Sequence, residues 1–394
     1  MGSGSINLDT STNLKKSESP VLDQARQRKA REYSRRRRLS FLETGVSLVL
    51  LVALIFSGAS QWFTGLFHWP VVAVAAVYFV VLMLGFEIIT FPLSYYRGFV
   101  LSHRYGISIQ TPKGWLVDLV KGGVLGLVFG SAAVAMVYWF LLNYPDFWWL
   151  AVWGLMLVIT ILMTIVTPVF LVPIFFKTRP LDDQDLKSRL EKMAQRARAK
   201  VKGIYTLDFS RKTTAANAAL MGMGRTRRIV ISDTLIRQYT APEIEVVTAH
   251  EIGHHINRDI WRLFIIQSAV YLIGFKIVDV VLKASVSHLG FNGISDPAAL
   301  PWLVLIFGAF SVLVSPLMNS YTRHVESQAD GYALKLTEDP KAFVDAMTRL
   351  ANQNLAVAHP SLWEEVLFHD HPSYNKRVEQ ARLYEEQKGT DTKG

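Results

Sequence analysis

The sequence predicts an α-helical integral membrane protein, with about six to seven transmembrane helices and a small α+β domain integrated with the bundle. Three observations predict it. Hydrophobic residues make up 51% of the 394 positions, and mean hydropathy is +0.24, too apolar for an ordinary soluble surface. The excess sits in six runs, each near the ~20 residues that a bilayer core requires. Between the fourth and fifth runs lies a segment of mixed helix and strand pattern, 177–259, which ends on H-E-x-x-H at His250–His254.

Residues 1–38 are polar and end in Arg35-Arg36-Arg37-Arg38. They read as a basic cytoplasmic tail, disordered or a frayed helix, whose charge holds this end in the cytoplasm and suits anionic lipid headgroups. No apolar h-region precedes them, so no cleavable signal peptide is expected.

The apolar runs are 41–58, 70–95, 119–142, 148–172, 260–283 and 300–318. Pro316 should kink the sixth or free backbone groups there. Loops 59–69 and 143–147 carry no Lys or Arg, whereas loop 96–118 carries Arg97, Arg104 and Lys113. The positive-inside rule then puts both termini and segment 177–259 on the cytoplasmic side, in the inner membrane if the source is prokaryotic. Glu87 lies deep in the second run and is expected to face a water-filled interior; Lys276 and Asp279 in the fifth either do the same or pair with neighbours. The resulting division is a tail (1–38), four spans (39–176), a protease part (177–259), two spans (260–318) and C-terminal helices (319–394).

Within 177–259, Asp183 to Ala199 has helical spacing, with Leu186, Leu190, Met193 and Ala197 on one face. Gly203 to Phe209 reads as a strand. Ala216–Met221 and Arg228–Ser232 read as strands around a hairpin turn at Gly222-Met223-Gly224-Arg225. Thr240 as N-cap, Pro242 and Glu243 in the first turn start the helix that carries H-E-x-x-H. Beyond 319 the pattern is polar-helical: an amphipathic helix after Pro340 and a charged, surface helix around Asn375 to Glu386.

The net charge of +10 comes with no nucleic-acid motif, and the basic residues flank apolar runs, so nucleic acid is not an expected partner. There is no cysteine, so a metal site must use histidine and carboxylates. On a helix, His250 and His254 leave one face a turn apart, as two ligands of one Zn²⁺ would. Glu251 projects beside them, where it can deprotonate an attacking water. Gly253 leaves room for close backbone approach. The third ligand of a catalytic site is sought at Glu326, 76 residues beyond His250. Asp330, one helical turn on, can fix the tautomer of a ligand histidine, and Arg323 can pair with either acid. From spacing alone, an amphipathic helix end with i,i+4 charges is an equal reading.

The H-E-x-G-H and E-x-Q-A-D blocks together resemble the type I CAAX prenyl proteases, integral membrane zinc metalloproteases. Phe91-Pro92-Leu93-Ser94-Tyr95 with His103-Arg104-Tyr105-Gly106-Ile107, the strand Arg228 to Ser232 with Asp233 to Ile236, and His371-Pro372 with Arg377 extend the likeness over residues 85–380. The resemblance implies one zinc held by His250, His254 and Glu326, with Glu251 as general base and Asp330 behind the ligands. It implies His371 and Arg377 near the metal, His371 stabilising the oxyanion. It also implies Asn217 and Ala218 on an edge strand that pairs with substrate backbone. The partners implied are a peptide or protein substrate, prenylated or not, and membrane lipid; a monomer suffices. Eukaryotic members have seven spans against the six counted here, and the tail carries no KDEL-type or dilysine retrieval signal, so a prokaryotic member is expected. The alternative is a non-catalytic membrane chaperone with a structural zinc clasp, which would need no Glu251. A metal transporter would need more His and Asp within the spans.

Overall fold

The computed structural model describes residues 19–38, 40–222 and 227–391. The centre of the expected hairpin turn, residues 223–225, and the first 18 residues of the tail lie outside them. The first element contradicts the reading of a frayed tail. Helix α1 (Gln24–Arg37) is capped by Asp23, whose side chain accepts from the Ala25 and Arg26 amides. It docks on the C-terminal part of the chain. Gln27 donates from Nε2 to the Ala356 carbonyl at 3.0 Å and accepts from the Ala358 amide at 2.9 Å. Ala30 is fully buried beneath it. Polar bonds rather than an apolar stripe hold this helix, so its composition concealed the contact.

Four long apolar helices follow: α2 (Ser40–Phe56), then, after the short α3 (Ala59–Gly65), α4 (Val71–Tyr95), α5 (Pro112–Asn143) and α6 (Trp148–Val166). α4 and α6 run on through π-type turns at Tyr96–Leu101 and Thr167–Leu171. α5 begins at Pro112, capped by the Thr111 hydroxyl, so the expected loop 96–118 is largely helical. Gly126 of α5 lies where a Cβ would meet Met83 at 2.7 Å, so the absent side chain lets α4 and α5 approach closely.

After α6 the chain forms a four-stranded sheet of order β1-β2-β4-β3, with β1 (Thr178–Pro180), β2 (Ile204–Leu207), β3 (Ala218–Met221) and β4 (Arg228–Ser232). β2 and β4 are parallel; the other pairs are antiparallel. Helix α7 (Gln184–Arg196) lies between β1 and β2, and Leu186, Leu190 and Met193 are on its buried face. The short α8 (Asp233–Gln238) leads into α9 (Ala241–Ile256), which starts on a complete capping box between Thr240 and Glu243. α7, the sheet and α9 share one apolar core that includes Leu190, Ile231, Ile244 and Ile252.

The remaining membrane helices are α10 (Asp259–Ser285) and α11 (Leu300–Thr337). Among the described residues, six helices are long and apolar enough to cross a membrane. Pro316 does not end the sixth. α11 continues for 38 residues as one element, so the expected boundary at 318/319 falls inside a rod that joins bilayer to site. Asp279 is buried and paired: it accepts from Trp148 Nε1 at 2.8 Å and lies 3.1 Å from Lys276 and 3.0 Å from Lys283. Glu87 lines a cavity of about 590 Å³ beside the Glu43–Arg97 ion pair. The chain closes with α12 (Pro340–Gln353), α13 (Leu362–Phe368) and α14 (Tyr374–Asp391). α14 is not merely a surface helix, because Ala381 is buried and Arg377 points inward.

Candidate metal centre

The site forms where α9 crosses α11. A Cβ on Gly253 would meet Tyr332 Cβ at 3.2 Å and Ala329 Cα at 3.3 Å, so glycine sets the closeness of the crossing. That approach brings Glu326 against the two histidines. His250 and Glu326 are each 7% exposed. The Nε2 atoms of His250 and His254 are 3.2 Å apart. Glu326 Oε2 lies 3.2 Å from His250 Nε2, and Oε1 lies 3.4 Å from His254 Nε2.

These separations test whether the residues suit a metal. An ion that bonds nitrogen and oxygen at about 2.0–2.1 Å in a tetrahedron holds its ligand atoms about 3.3–3.4 Å apart. The three observed separations fall at or near that figure. His250 Nδ1 faces Asp330 Oδ1 at 2.8 Å, and His254 Nδ1 faces Asp259 Oδ2 at 3.0 Å. Carboxylates only accept, so Nδ1 carries a proton on both rings, and each Nε2 faces inward as the atom that would hold a metal in place of a proton. Glu326 Oε2 is buried and accepts no hydrogen bond. Its nearness to His250 Nε2 is therefore that of two donor atoms aimed at a shared point. Burial pulls the His250 pKa down, but Asp330 and Glu326 override it and hold it at about 10. The local field thus draws a cation into the space between the three groups, and the donor set fits one.

Glu251 stands beside this set. Burial raises its pKa, and the two histidines and the Leu220 backbone N–H partly offset that. A carboxylate held above its ordinary range is suited to accept a proton and return it. His371 Nε2 lies 3.3 Å from Glu326 Oε2, and its Nδ1 faces Asp370 Oδ1 at 2.8 Å. Asp370 raises the His371 pKa; burial opposes this and Glu326 adds to it.

The expected residues do not all take the expected places. Asp330, fully buried, backs His250. Arg377 grips the same carboxylate, donating from Nε at 2.8 Å and from Nη2. It is thus paired with the carboxylate behind His250 while it also lines the cleft. Arg323 pairs with neither Asp330 nor Glu326. It donates to the carbonyls of Glu365 and His369, at 2.7 and 2.6 Å, and so fixes the loop that carries His371. Sequence reasoning missed Asp259, which does for His254 what Asp330 does for His250. Arg262 donates to Asp259 at 2.9 Å and to Gln328 at 2.6 Å. The available signal was an acid five residues past His254, at the start of the next helix. Between them Arg258 takes a left-handed φ of 57°, which turns the chain back toward the ring.

β3 is the edge of the sheet, facing the site. The Ser232 amide donates to the Asn217 carbonyl. The paired positions are therefore 217, 219 and 221, and the backbone groups of Ala218 and Leu220 face away from β4. Asn217, Ala218, His250, Glu251, His371 and Arg377 line one cleft of about 830 Å³.

Comparison with known proteins agrees with this architecture. Residues 7–177 match the family described as CAAX prenyl protease N-terminal, five membrane helices, and residues 180–385 match peptidase family M48. The uncharacterized metalloprotease YhfN of Bacillus subtilis is 28% identical over 88% of this chain and 83% of its own. The CAAX prenyl protease 1 homolog of Arabidopsis thaliana is 27% identical over 91% and 88%. CAAX prenyl protease 1 of Saccharomyces cerevisiae is 29% identical over 74% and 70%. The crystal structure of S. mikatae Ste24p superposes with a TM-score of 0.82 over 94% of this chain and 93% of that one, at 24% identity, and shares the fold. The chain is an integral, multi-pass membrane metalloprotease that belongs to peptidase family M48, among the type I CAAX prenyl proteases.

Proposed function

We propose that this chain is a zinc metalloendopeptidase in which His250, His254 and Glu326 hold one zinc per chain, and that it cleaves the tails of membrane-associated, lipid-linked or unfolded proteins. The observation that carries the reading is the donor triad: its spacing matches a tetrahedral ion, and each ring is fixed by its own carboxylate. Bound zinc supplies Lewis acidity to the scissile carbonyl and to the attacking water.

The protein's own groups do the rest. Substrate backbone pairs with the outward N–H and C=O groups of Ala218 and the outward C=O of Leu220, which lays the peptide across the face of Glu251, with Asn217 at the end of that strand. Glu251 takes the proton as the water oxygen attacks the carbonyl carbon. His371 donates its Nε2–H to the oxygen that gains charge. As the C–N bond breaks, Glu251 returns the proton to the leaving amine. Asp330 with Arg377, and Asp259 with Arg262, hold the two rings still throughout.

Support for a lipid setting comes from the rim of the cleft. Phe41 and Asn319 line it, from the membrane helices α2 and α11. Leu362 is 78% exposed and Trp363 53%, as interfacial side chains are. The relatives' names refer to prenylated substrates, and a prenyl group would find apolar surface there. The charge asymmetry of the loops supports a site and both termini on the cytoplasmic side.

Glu251→Gln tests the reading. The variant is expected to keep its zinc and lose peptide cleavage by a factor on the order of 10³ or more. Cleavage at the wild-type rate by a zinc-loaded variant would overturn it.

A further inference from the structure

Part of the wall of the cleft comes from the basic helix α1, which has no part in the chemistry described so far. Tyr33, Ser34 and Arg37 of that helix and Arg38 just past its end line the cleft together with Glu251 and His371. Their spacing puts Tyr33 and Ser34 one turn before Arg37 on the same face. Arg38 is already engaged. It pairs with Glu364, and its guanidinium sits 5.1 Å from the centre of the Trp363 ring. That contact pins the end of α1 to the cleft wall. Arg377 is taken by Asp330, Asp370 faces His371, and His250 faces Asp330. Glu251 accepts from the Leu220 amide. Arg37 is exposed and, among the described residues, is the charged side chain of the lining that has no partner.

A free guanidinium in the cleft of a peptidase selects for an anion that a peptide can carry, which is a carboxylate. Elsewhere the cleft holds Glu251, which repels one. A peptide that bears a carboxylate is therefore oriented with that group toward α1 and its scissile bond toward Glu251. We propose that Arg37, with Ser34 and Tyr33 beside it, is a carboxylate-binding subsite that fixes the direction and position of the substrate peptide. The group bound is a C-terminal carboxylate or the side chain of Asp or Glu. The proposal rests on the peptidase reading, but its test need not involve turnover.

The test measures binding in the zinc-loaded Glu251→Gln protein, full length and in detergent, by fluorescence anisotropy. The probe is a labelled apolar decapeptide prepared with a free C-terminal carboxylate or with a carboxamide. The acid is expected to bind about tenfold more tightly than the amide. Arg37→Ala should bring that ratio to about one, Arg37→Lys should keep part of it, and Arg37→Glu should invert it. A third peptide, amidated but with Glu near its end, separates the two sources. If it binds like the acid, a side-chain carboxylate is accepted; if it binds like the amide, the subsite reads the chain terminus. Equal binding of acid and amide in the Arg37 protein, or the same ratio after Arg37→Ala, would overturn the proposal. Neither result depends on whether Glu251 is the base.

Discussion

His250 and His254 are held by the same chemistry drawn from two regions of unlike character. Behind His250, an aspartate from α11 and an arginine from α14 come from far along the chain and are sealed in the core; the Asp330 carboxylate is fully buried. Behind His254, Asp259 and Arg262 come from the first turn of α10, and the histidine side chain remains 22% exposed. The first arrangement forms only when α9, α11 and α14 are packed. The second needs only the local turn at Arg258. One ring is thus tied to the folding of the whole catalytic half, and the other to its own neighbourhood. Glu326, on α11, makes the site depend on the membrane helices as well.

That contrast makes unequal predictions. Asp330→Ala should have the largest effect. It removes the acceptor of His250 and strands the Arg377 charge in the core, which costs about 3–5 kcal/mol. Thermal unfolding in detergent should fall sharply and zinc content with it; an unchanged melting temperature would erase the distinction between the two supports. Asp259→Asn should act locally. Zinc affinity should fall by about 10–100-fold, with the melting temperature nearly unmoved, as read by competition with a chelator. A stability loss as large as that of Asp330→Ala would show that both supports are structural. Arg323→Ala should have the smallest effect. It frees the carbonyls of Glu365 and His369 and loosens the loop that presents His371. We expect kcat to fall about tenfold at constant zinc content, and lost zinc would place Arg323 with the metal supports instead.

The membrane helices were legible because bilayer burial demands long apolar runs, and those runs survive without knowledge of tertiary contacts. The H-E-x-x-H helix was legible because one turn of helix brings His250 and His254 together without help from elsewhere. Other features depend on contacts that periodicity does not encode. α1 is held by Gln27 and Asp23 through polar bonds, so its sequence reads as a solvated tail. Pro316 reads as a kink near the end of its span, and periodicity does not show that α11 continues past it to carry Glu326. β1 is three exposed residues, Thr178–Pro180, too short for an alternation to register. Arg377 stands out in sequence as part of a motif, but only the fold reveals that its guanidinium pairs with Asp330. Asp259 went unnoticed because its ring contact depends on the left-handed turn at Arg258.

The account stands or falls on Glu326 closing a site that the H-E-x-x-H helix alone would leave open. Zinc per chain, measured by mass spectrometry after passage over a chelating resin, tests this directly when Glu326→Ala is compared with Glu251→Gln. We predict about one zinc per chain in wild type and in Glu251→Gln, and less than about a tenth of that in Glu326→Ala. Full zinc occupancy in Glu326→Ala would contradict it.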